Sequence, residues 1–312
     1  MLKRVAIIDL GTNTFHLLIA EQKGTGYNII FRDRLAVKIG MGGINEGFIT
    51  DSGFNRALVA MQSFRNIIDK NQIDTVYAFG TSALRNAHNG KDVAQKIESV
   101  TGIPIDIISG EKEAYYIYRG VRAALGLGND KNLIVDIGGG SVEFILADHD
   151  QIFWKQSFEI GAQRLLEKYQ KHDPILPEEI VLLESFFERA LGLLFDAIDE
   201  FKPTILVGSS GTFDTLSDIF CHRHDIHKTG EEIETPLSIE GFSEILQELL
   251  SKNREERMQI PGMIEMRVDM IVVACCLVKF LLEKHPFTRI RVSTYSLKEG
   301  VLAHLTDELG KT

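Results

Sequence analysis

The chain has 312 residues, of which 44% are hydrophobic and 25% charged, and its formal net charge is −10. This is an ordinary soluble composition with room for two domains, and no apolar run is long enough to cross a bilayer. An acidic chain does not draw in nucleic acid or anionic lipid through its overall field, so a polyanionic ligand would need a local basic groove.

Met1-Leu2-Lys3-Arg4 leads into a strand pattern with no signal-peptide apolar region or cleavage site. Residues 4–10, 14–22 and 26–39 read as three strands joined by tight turns, the third interrupted by Arg32, Asp33 and Arg34. Gly40-Met41-Gly42-Gly43 reads as a flexible loop. Thr50 is placed to cap a helix whose apolar face is Phe54, Leu58, Met61, Phe64 and Ile68. A buried strand at 75–79 runs into Gly80-Thr81-Ser82-Ala83-Leu84-Arg85. A helix near 90–100, a strand at 103–108 and a helix at 111–124 complete the first half, and residues 126–130 read as a linker. The second half repeats the three-strand pattern at 132–137, 142–148 and 151–158, and helical patterns follow at 177–200, 239–250 and 266–284. A strand at 204–207 enters Gly208-Ser209-Ser210-Gly211-Thr212, and a last strand at 289–292 precedes a closing helix at 297–305. The alternation gives an α/β class with mixed sheets, divided into residues 1–125 and 126–312. Cys275 and Cys276 are adjacent in an apolar helical pattern, and with Cys221 they fit buried thiols in a reducing cytoplasm rather than a disulfide framework.

Two stretches read alike. Val5-Ala6-Ile7-Ile8-Asp9-Leu10-Gly11-Thr12-Asn13-Thr14 and Leu133-Ile134-Val135-Asp136-Ile137-Gly138-Gly139-Gly140-Ser141 are each an apolar run, an aspartate and a glycine-bearing polar turn. Two copies, one per half, point to a duplicated architecture. Their turns can face each other and hold a phosphate from both sides. Five such turns occur, at 11–14, 80–82, 109–110, 138–141 and 208–212. One alone is an ordinary connection, and five together are harder to dismiss. Asp9 and Asp136 suit Mg²⁺ as hard oxygen ligands, against the plainer role of capping their own turns. Glu143 shares a strand face with Ser141 and is a third carboxylate for the metal side, or a solvated strand residue. Local sequence gives Glu111 and Glu113 only dipole stabilisation of a first helical turn. Arg85 is a phosphate ligand or a plain surface arginine. His222, His224 and His227 near Cys221 match no zinc spacing and read as a solvated loop. No Gly-x-Ser-x-Gly elbow and no Walker A motif occurs.

Taken together, Asp9 to Leu17, Ser109-Gly110 with Glu113-Ala114, Asp136 to Glu143, Gly208 to Thr212, Arg267-Val268-Asp269 and Tyr295 to Gly300 resemble the exopolyphosphatase/guanosine pentaphosphate phosphohydrolase family in its short two-domain form. The resemblance implies a duplicated actin-like ATPase (ribonuclease H-like) fold, with two domains around a cleft. It implies that Glu113 orients or activates the attacking water, with Arg85 near it. It places Gly11, Thr12, Asn13, Thr14, Gly138, Gly139, Gly140, Ser141, Gly208, Ser209, Ser210, Gly211 and Thr212 around the terminal phosphate, and Asp9, Asp136 and Glu143 on the side of Mg²⁺. Lys112 departs from the family, which commonly has a glutamate there. The implied substrate is inorganic polyphosphate, with guanosine pentaphosphate as the close alternative and an actin-like kinase or filament protein as the rival from another class. The expected partners exclude nucleic acid and membrane and leave room for a homodimer. Arg32, Arg34, Lys38, Arg119, Arg122, Arg267 and Lys298 are the candidate groove cations for a longer chain, and Arg85 is the one expected at the reacting phosphate.

Overall fold

Two sheets account for the duplicated pattern. The structure, a computed structural model, describes residues 3–73 and 75–310. The absence of a signal peptide expected from Met1 and Leu2, and the last two positions of the 126–312 half, lie outside the described residues.

In the first half, β1 (Arg4–Leu10), β2 (Thr14–Lys23) and β3 (Gly26–Ala36) are followed by α1 (Asp51–Lys70), β4 (Thr75–Gly80) and α2 (Ser82–Asn86). Then come α3 (Gly90–Thr101), β5 (Ile105–Ile107) and α4 (Gly110–Ala124). In the second, β6 (Asn132–Ile137), β7 (Val142–Ala147) and β8 (Ile152–Phe158) precede α5 (Ala162–Tyr169), α6 (Pro177–Ala190) and α7 (Gly192–Phe201). They are followed by β9 (Ile205–Ser209), α8 (Gly211–Arg223), β10 (Glu234–Thr235), α9 (Ile239–Ser251) and α10 (Arg254–Met258). The chain closes with α11 (Glu265–Val268), α12 (Ile271–Lys284), β11 (Arg289–Ser293) and α13 (Leu297–Leu309). The sheet orders are β3-β2-β1-β4-β5 and β10-β11-β9-β6-β7-β8. Without β10, the second sheet repeats the first strand for strand: an antiparallel three-strand meander, then parallel strands beside β1 or β6.

Local sequence sets most of these boundaries. Every residue of β6 and β7 is buried, as expected of near-continuous apolar runs covered on both faces. The Thr50 hydroxyl accepts from the Gly53 amide at 3.1 Å and starts α1 as expected, although Ala57 and Ala60 take the deepest positions beside Met61, Phe64 and Ile68. β3 stops at Ala36, not 39, because the Val37 and Lys38 amides both turn to the Asn13 carbonyl at 2.9 Å. The helical patterns at 177–200 and 266–284 are each broken in two, at Leu191 and at Asp269-Met270. Cys221, His222 and Arg223 end α8 rather than lying in a loop, with His222, His224 and His227 exposed. α2, α5, α8, α10 and β10 have no counterpart in the sequence reading. Among the described residues, no helix is long and apolar enough to cross a membrane.

The halves meet through a pair of helices. α13 returns from the second half to lie on α4, and the two are packed into one apolar cluster with both sheets: Val5 and Leu18 from the first, Ile134 and Val207 from the second, Val121 from α4 and Val301 from α13. The crossing is backbone against backbone. A Cβ on Gly120 would stand 2.1 Å from the Ser296 carbonyl oxygen, and one on Gly300 would stand 1.7 Å from that of Tyr116. Gly120→Ala should therefore lower unfolding stability by about 3 kcal/mol, the upper range for overpacking against atoms that cannot yield. Gly126→Ala, where a Cβ meets nothing within 4 Å, should leave stability unchanged or slightly raised. Denaturant midpoints of the two variants check this.

Candidate active site

β1 and β6 end side by side, and each runs into the same turn. Gly11 N donates to Thr14 O at 3.2 Å, and Gly138 N donates to Ser141 O at 3.0 Å. The turns face each other in contact: a Cβ on Gly140 would meet Thr12 Oγ1 at 2.4 Å, and one on Gly139 would meet the Asn13 amide at 2.8 Å. Only glycine permits that approach. Between the turns lies a cavity of about 70 Å³, little more than two waters' share of liquid volume.

The cavity has a donor wall and an acid wall. On the donor wall, Thr12 Oγ1, Thr14 Oγ1 and Arg267 Nε are buried with no partner, as is the acceptor Asn13 Oδ1. An unsatisfied buried donor costs about 1–3 kcal/mol, so several at one place call for a ligand that satisfies them. Hydroxyls and a guanidinium together suit an anion. Burial also pushes the Arg267 guanidinium down from its usual value, with Asp214 opposing, although an arginine stays charged.

The acid wall carries Asp9, Glu113, Asp136 and Glu143. Glu113 rises from the first turn of α4, whose start is pressed onto β8 at Gly110. Its Oε2 accepts from Arg85 Nη1 at 2.7 Å. Glu143 Oε1 accepts from Ser141 Oγ at 2.7 Å and Ser157 Oγ at 2.6 Å. Asp136 Oδ2 accepts from Ser209 Oγ at 3.2 Å and Ser296 Oγ at 2.5 Å. Burial lifts Asp9 to about 7, with Lys298 opposing and Asp136 adding repulsion. Burial also lifts Glu113 to about 7 against the pull of Arg85. Asp136 is raised by burial, with the Ser296 and Ser209 hydroxyls opposing. Glu143 is held well above the usual carboxylate range by burial and by Glu113 and Asp136. Burial and the cations Lys298 and Arg267 hold His16 well below its usual value, which makes it a neutral neighbour.

Of the residues singled out in the sequence, Asp9, Gly11 to Thr14, Glu113, Asp136, Gly138 to Ser141 and Glu143 line this one cavity, and Thr81 and Ser82 join them. Of the 208–212 turn only Ser210 reaches it, held at a φ of 72° that side chains rarely adopt. Gly208 makes room for the Phe213 ring and Gly211 for the Arg267 guanidinium, while Ser209 serves Asp136. Ser109 caps α4 by accepting from the Lys112 amide. Arg85 does not line the cavity. Its guanidinium spans Glu113 and, at 3.2 Å, Glu159. Arg267, expected on an outer groove, lines the cavity instead. Arg32, Lys38, Arg119 and Lys298 are each engaged in an ion pair, and Lys112 turns to Asp106. Ser157 escaped the sequence reading although it stands opposite Glu143 in the β7–β8 register. Ser296 comes from the loop before α13 and carries no local signal.

Hard oxygen donors of this kind fit Mg²⁺, which needs only one or two carboxylates plus water and substrate oxygens. Among the described residues, no three acidic, histidine or cysteine side chains gather into a ready metal cage. The mutual repulsion that raises Asp9 and Glu143 is the kind a divalent cation relieves.

The model of the Ppx/GppA phosphatase family matches residues 18–309. The crystal structure of an exopolyphosphatase from Cytophaga hutchinsonii is 41% identical, with a TM-score of 0.95 over 98% of each chain. The Aquifex aeolicus member of the Ppx/GppA family is 23% identical, with a TM-score of 0.79 over 99% of each chain, a likeness of fold. The duplicated actin-like fold expected from the sequence is present.

The raised Asp9 carboxyl fixes a sign for stability against pH. The folded chain keeps a proton up to about 7 that the unfolded chain releases near the ordinary aspartate value, so stability falls as pH rises through that window. In metal-free buffer, Asp9→Asn should raise the melting temperature by a few degrees at pH 8 and leave it unchanged at pH 4. Equal shifts at both pH values would show that Asp9 is not held protonated.

Proposed function

The chain belongs to the Ppx/GppA phosphatase family, a phosphoanhydride hydrolase by that membership, and on that footing we propose that it releases terminal orthophosphate from inorganic polyphosphate by metal-assisted attack of water. The observation that carries this reading is the set of unpartnered buried groups, Thr12, Thr14 and Arg267, around a cavity of about 70 Å³ that four carboxylates also line.

In this reading the terminal phosphoryl group lies between the two glycine turns. The backbone amides there, with the Thr12, Thr14 and Ser82 hydroxyls and Arg267, donate to its equatorial oxygens. Phosphoryl transfer asks the protein chiefly for in-line positioning and charge stabilisation. Glu113 takes the proton of the attacking water, and Arg85 holds its carboxylate in place. A carboxyl lifted to about 7 is a far better base at neutral pH than an ordinary glutamate. Mg²⁺, held by Asp136 with Asp9 or Glu143, would neutralise the phosphoanhydride oxygens. The three cysteines are free and buried, which accords with a cytoplasmic enzyme.

A second reading has an observation of its own. Beside the site lies a cavity of about 1000 Å³, lined by Tyr27 and Tyr295 and by Arg32, Arg34 and Lys228 against six carboxylates. A lining with more acids than bases opposes a bare polyanion and favours a compact aromatic end, as on guanosine pentaphosphate.

Phosphate release from polyphosphate, guanosine pentaphosphate and ATP, measured side by side, separates the two readings, and release from none of them would end both. Glu113→Gln should lower kcat by about 10²–10⁴-fold while polyphosphate binding stays nearly intact. A wild-type kcat in that variant would remove the base. Arg267→Gln should raise KM for even the shortest substrate, whereas an effect confined to long chains would return Arg267 to an outer groove. Asp136→Ala and Glu143→Ala should raise the Mg²⁺ concentration for half-maximal activity, and unchanged titrations would take both away from the metal.

A further inference from the structure

Arg85 is held by two carboxylates, and only one of them belongs to the reaction described above. Its Nη1 meets Glu113 at 2.7 Å in the interior, and its Nη2 meets Glu159 Oε1 at 3.2 Å. The side-chain exposures, 9% for Glu113, 16% for Arg85 and 39% for Glu159, run from the interior outward to the rim. Glu159 follows β8 in the second half, while Ser82 and Arg85 lie on α2 in the first. Its other oxygen accepts from Ser82 Oγ at 2.6 Å and from Arg164 Nη2 at 3.4 Å. Ser82 also lines the phosphate-sized cavity, so its hydroxyl stands between the cavity and the Glu159 carboxylate.

We propose that Glu159 is a specificity-determining residue: its carboxylate occupies the Ser82 hydroxyl, which lines the cavity, as an internal stand-in for a phosphate oxygen, and an incoming phosphate must displace it from that donor. The Glu159 carboxylate and a phosphate oxygen compete for the same hydroxyl donor, and the more highly charged phosphate makes the stronger charge-assisted bond. The partial exposure of Glu159 gives it water to move into when displaced. The arrangement keeps Arg85 paired in the empty site and sets a threshold that weak anions do not pass. Arg164 steadies the stand-in from its own side, since its Nε donates to Gly140 O at 2.8 Å and its Nη1 to Ile44 O at 2.6 Å. This inference rests on the cavity taking a phosphate group. It does not depend on which phosphoanhydride is cleaved.

The test is calorimetric titration of the full-length protein with inorganic orthophosphate, which binds without turnover. Glu159→Gln keeps the size and removes the charge, and it should lower the orthophosphate Kd by about tenfold, the order expected for one charged competitor removed. KM for the hydrolysed substrate should fall while kcat holds, because the competition acts before chemistry. In a Ser82→Ala background the gain from Glu159→Gln should disappear, because the contested donor is gone. An orthophosphate Kd that is unchanged or weaker in Glu159→Gln, with wild type binding normally, overturns the proposal and leaves Glu159 as a bridge between the halves. If Glu159→Gln lowers the melting temperature too far to titrate, Glu159→Asp draws the carboxylate back by one methylene and should also tighten binding, and an unchanged Kd there counts against the proposal equally. If wild type binds no orthophosphate, the phosphate reading of the cavity fails and takes this proposal with it.

Discussion

Four carboxylates crowd one wall of a cavity of about 70 Å³, and the rest of the molecule is arranged to keep them there. Burial and mutual repulsion disfavour their charge. The hydroxyls of Ser141, Ser157, Ser209 and Ser296, together with one guanidinium, oppose that penalty only in part. Such a cluster stores a demand for positive charge. The donors of the same cavity store the complementary demand, because the Thr12 and Thr14 hydroxyls and Arg267 lack an acceptor. A phosphoanhydride accompanied by a divalent cation answers both at once. This is electrostatic preorganisation, in which the donors are fixed before the ligand arrives.

The duplication explains how the two halves come to share one cavity. Each sheet contributes a strand end with an aspartate, a glycine turn and a returning strand. Both strand-end aspartates, Asp9 and Asp136, therefore line the one cavity, and the turns meet crosswise, Thr12 against Gly140 and Asn13 against Gly139. The repeat then departs from symmetry. Into the cavity the first half sends Glu113 from a helix start, and the second sends Glu143 from the returning strand. The asymmetry gives the cavity one guanidinium-bound and one hydroxyl-bound carboxylate.

What the sequence disclosed follows from the range of the forces involved. The strand-turn units are local, so Asp9, the two turns and Asp136 were legible from apolar runs ending in glycine. The family resemblance, not local pattern, singled out Glu113, because a glutamate in a first helical turn looks the same whether it serves the dipole or a water. Arg267, Ser157, Ser296 and Glu159 reach the site through packing over long sequence distances, which no window of residues records. The 208–212 turn misled in the opposite direction. Its glycines give room to Phe213 and Arg267, and a glycine that admits a side chain is spelled like one that admits a phosphate. The break at Leu191 was hidden because apolar residues continue on both sides of it.

The return of α13 to α4 has a consequence for the order in which the enzyme is made. The helix bearing Glu113 emerges from the ribosome long before its partner, and the faces of Gly120 and Val121 remain open until residues 296–302 follow. The first sheet can form early, but the wall that steadies its glutamate comes only with residues 296–302. Ser296, which holds Asp136, arrives in the same stretch. Nascent chains of this protein thus carry both glycine turns without a finished site until residues 296–302 have followed.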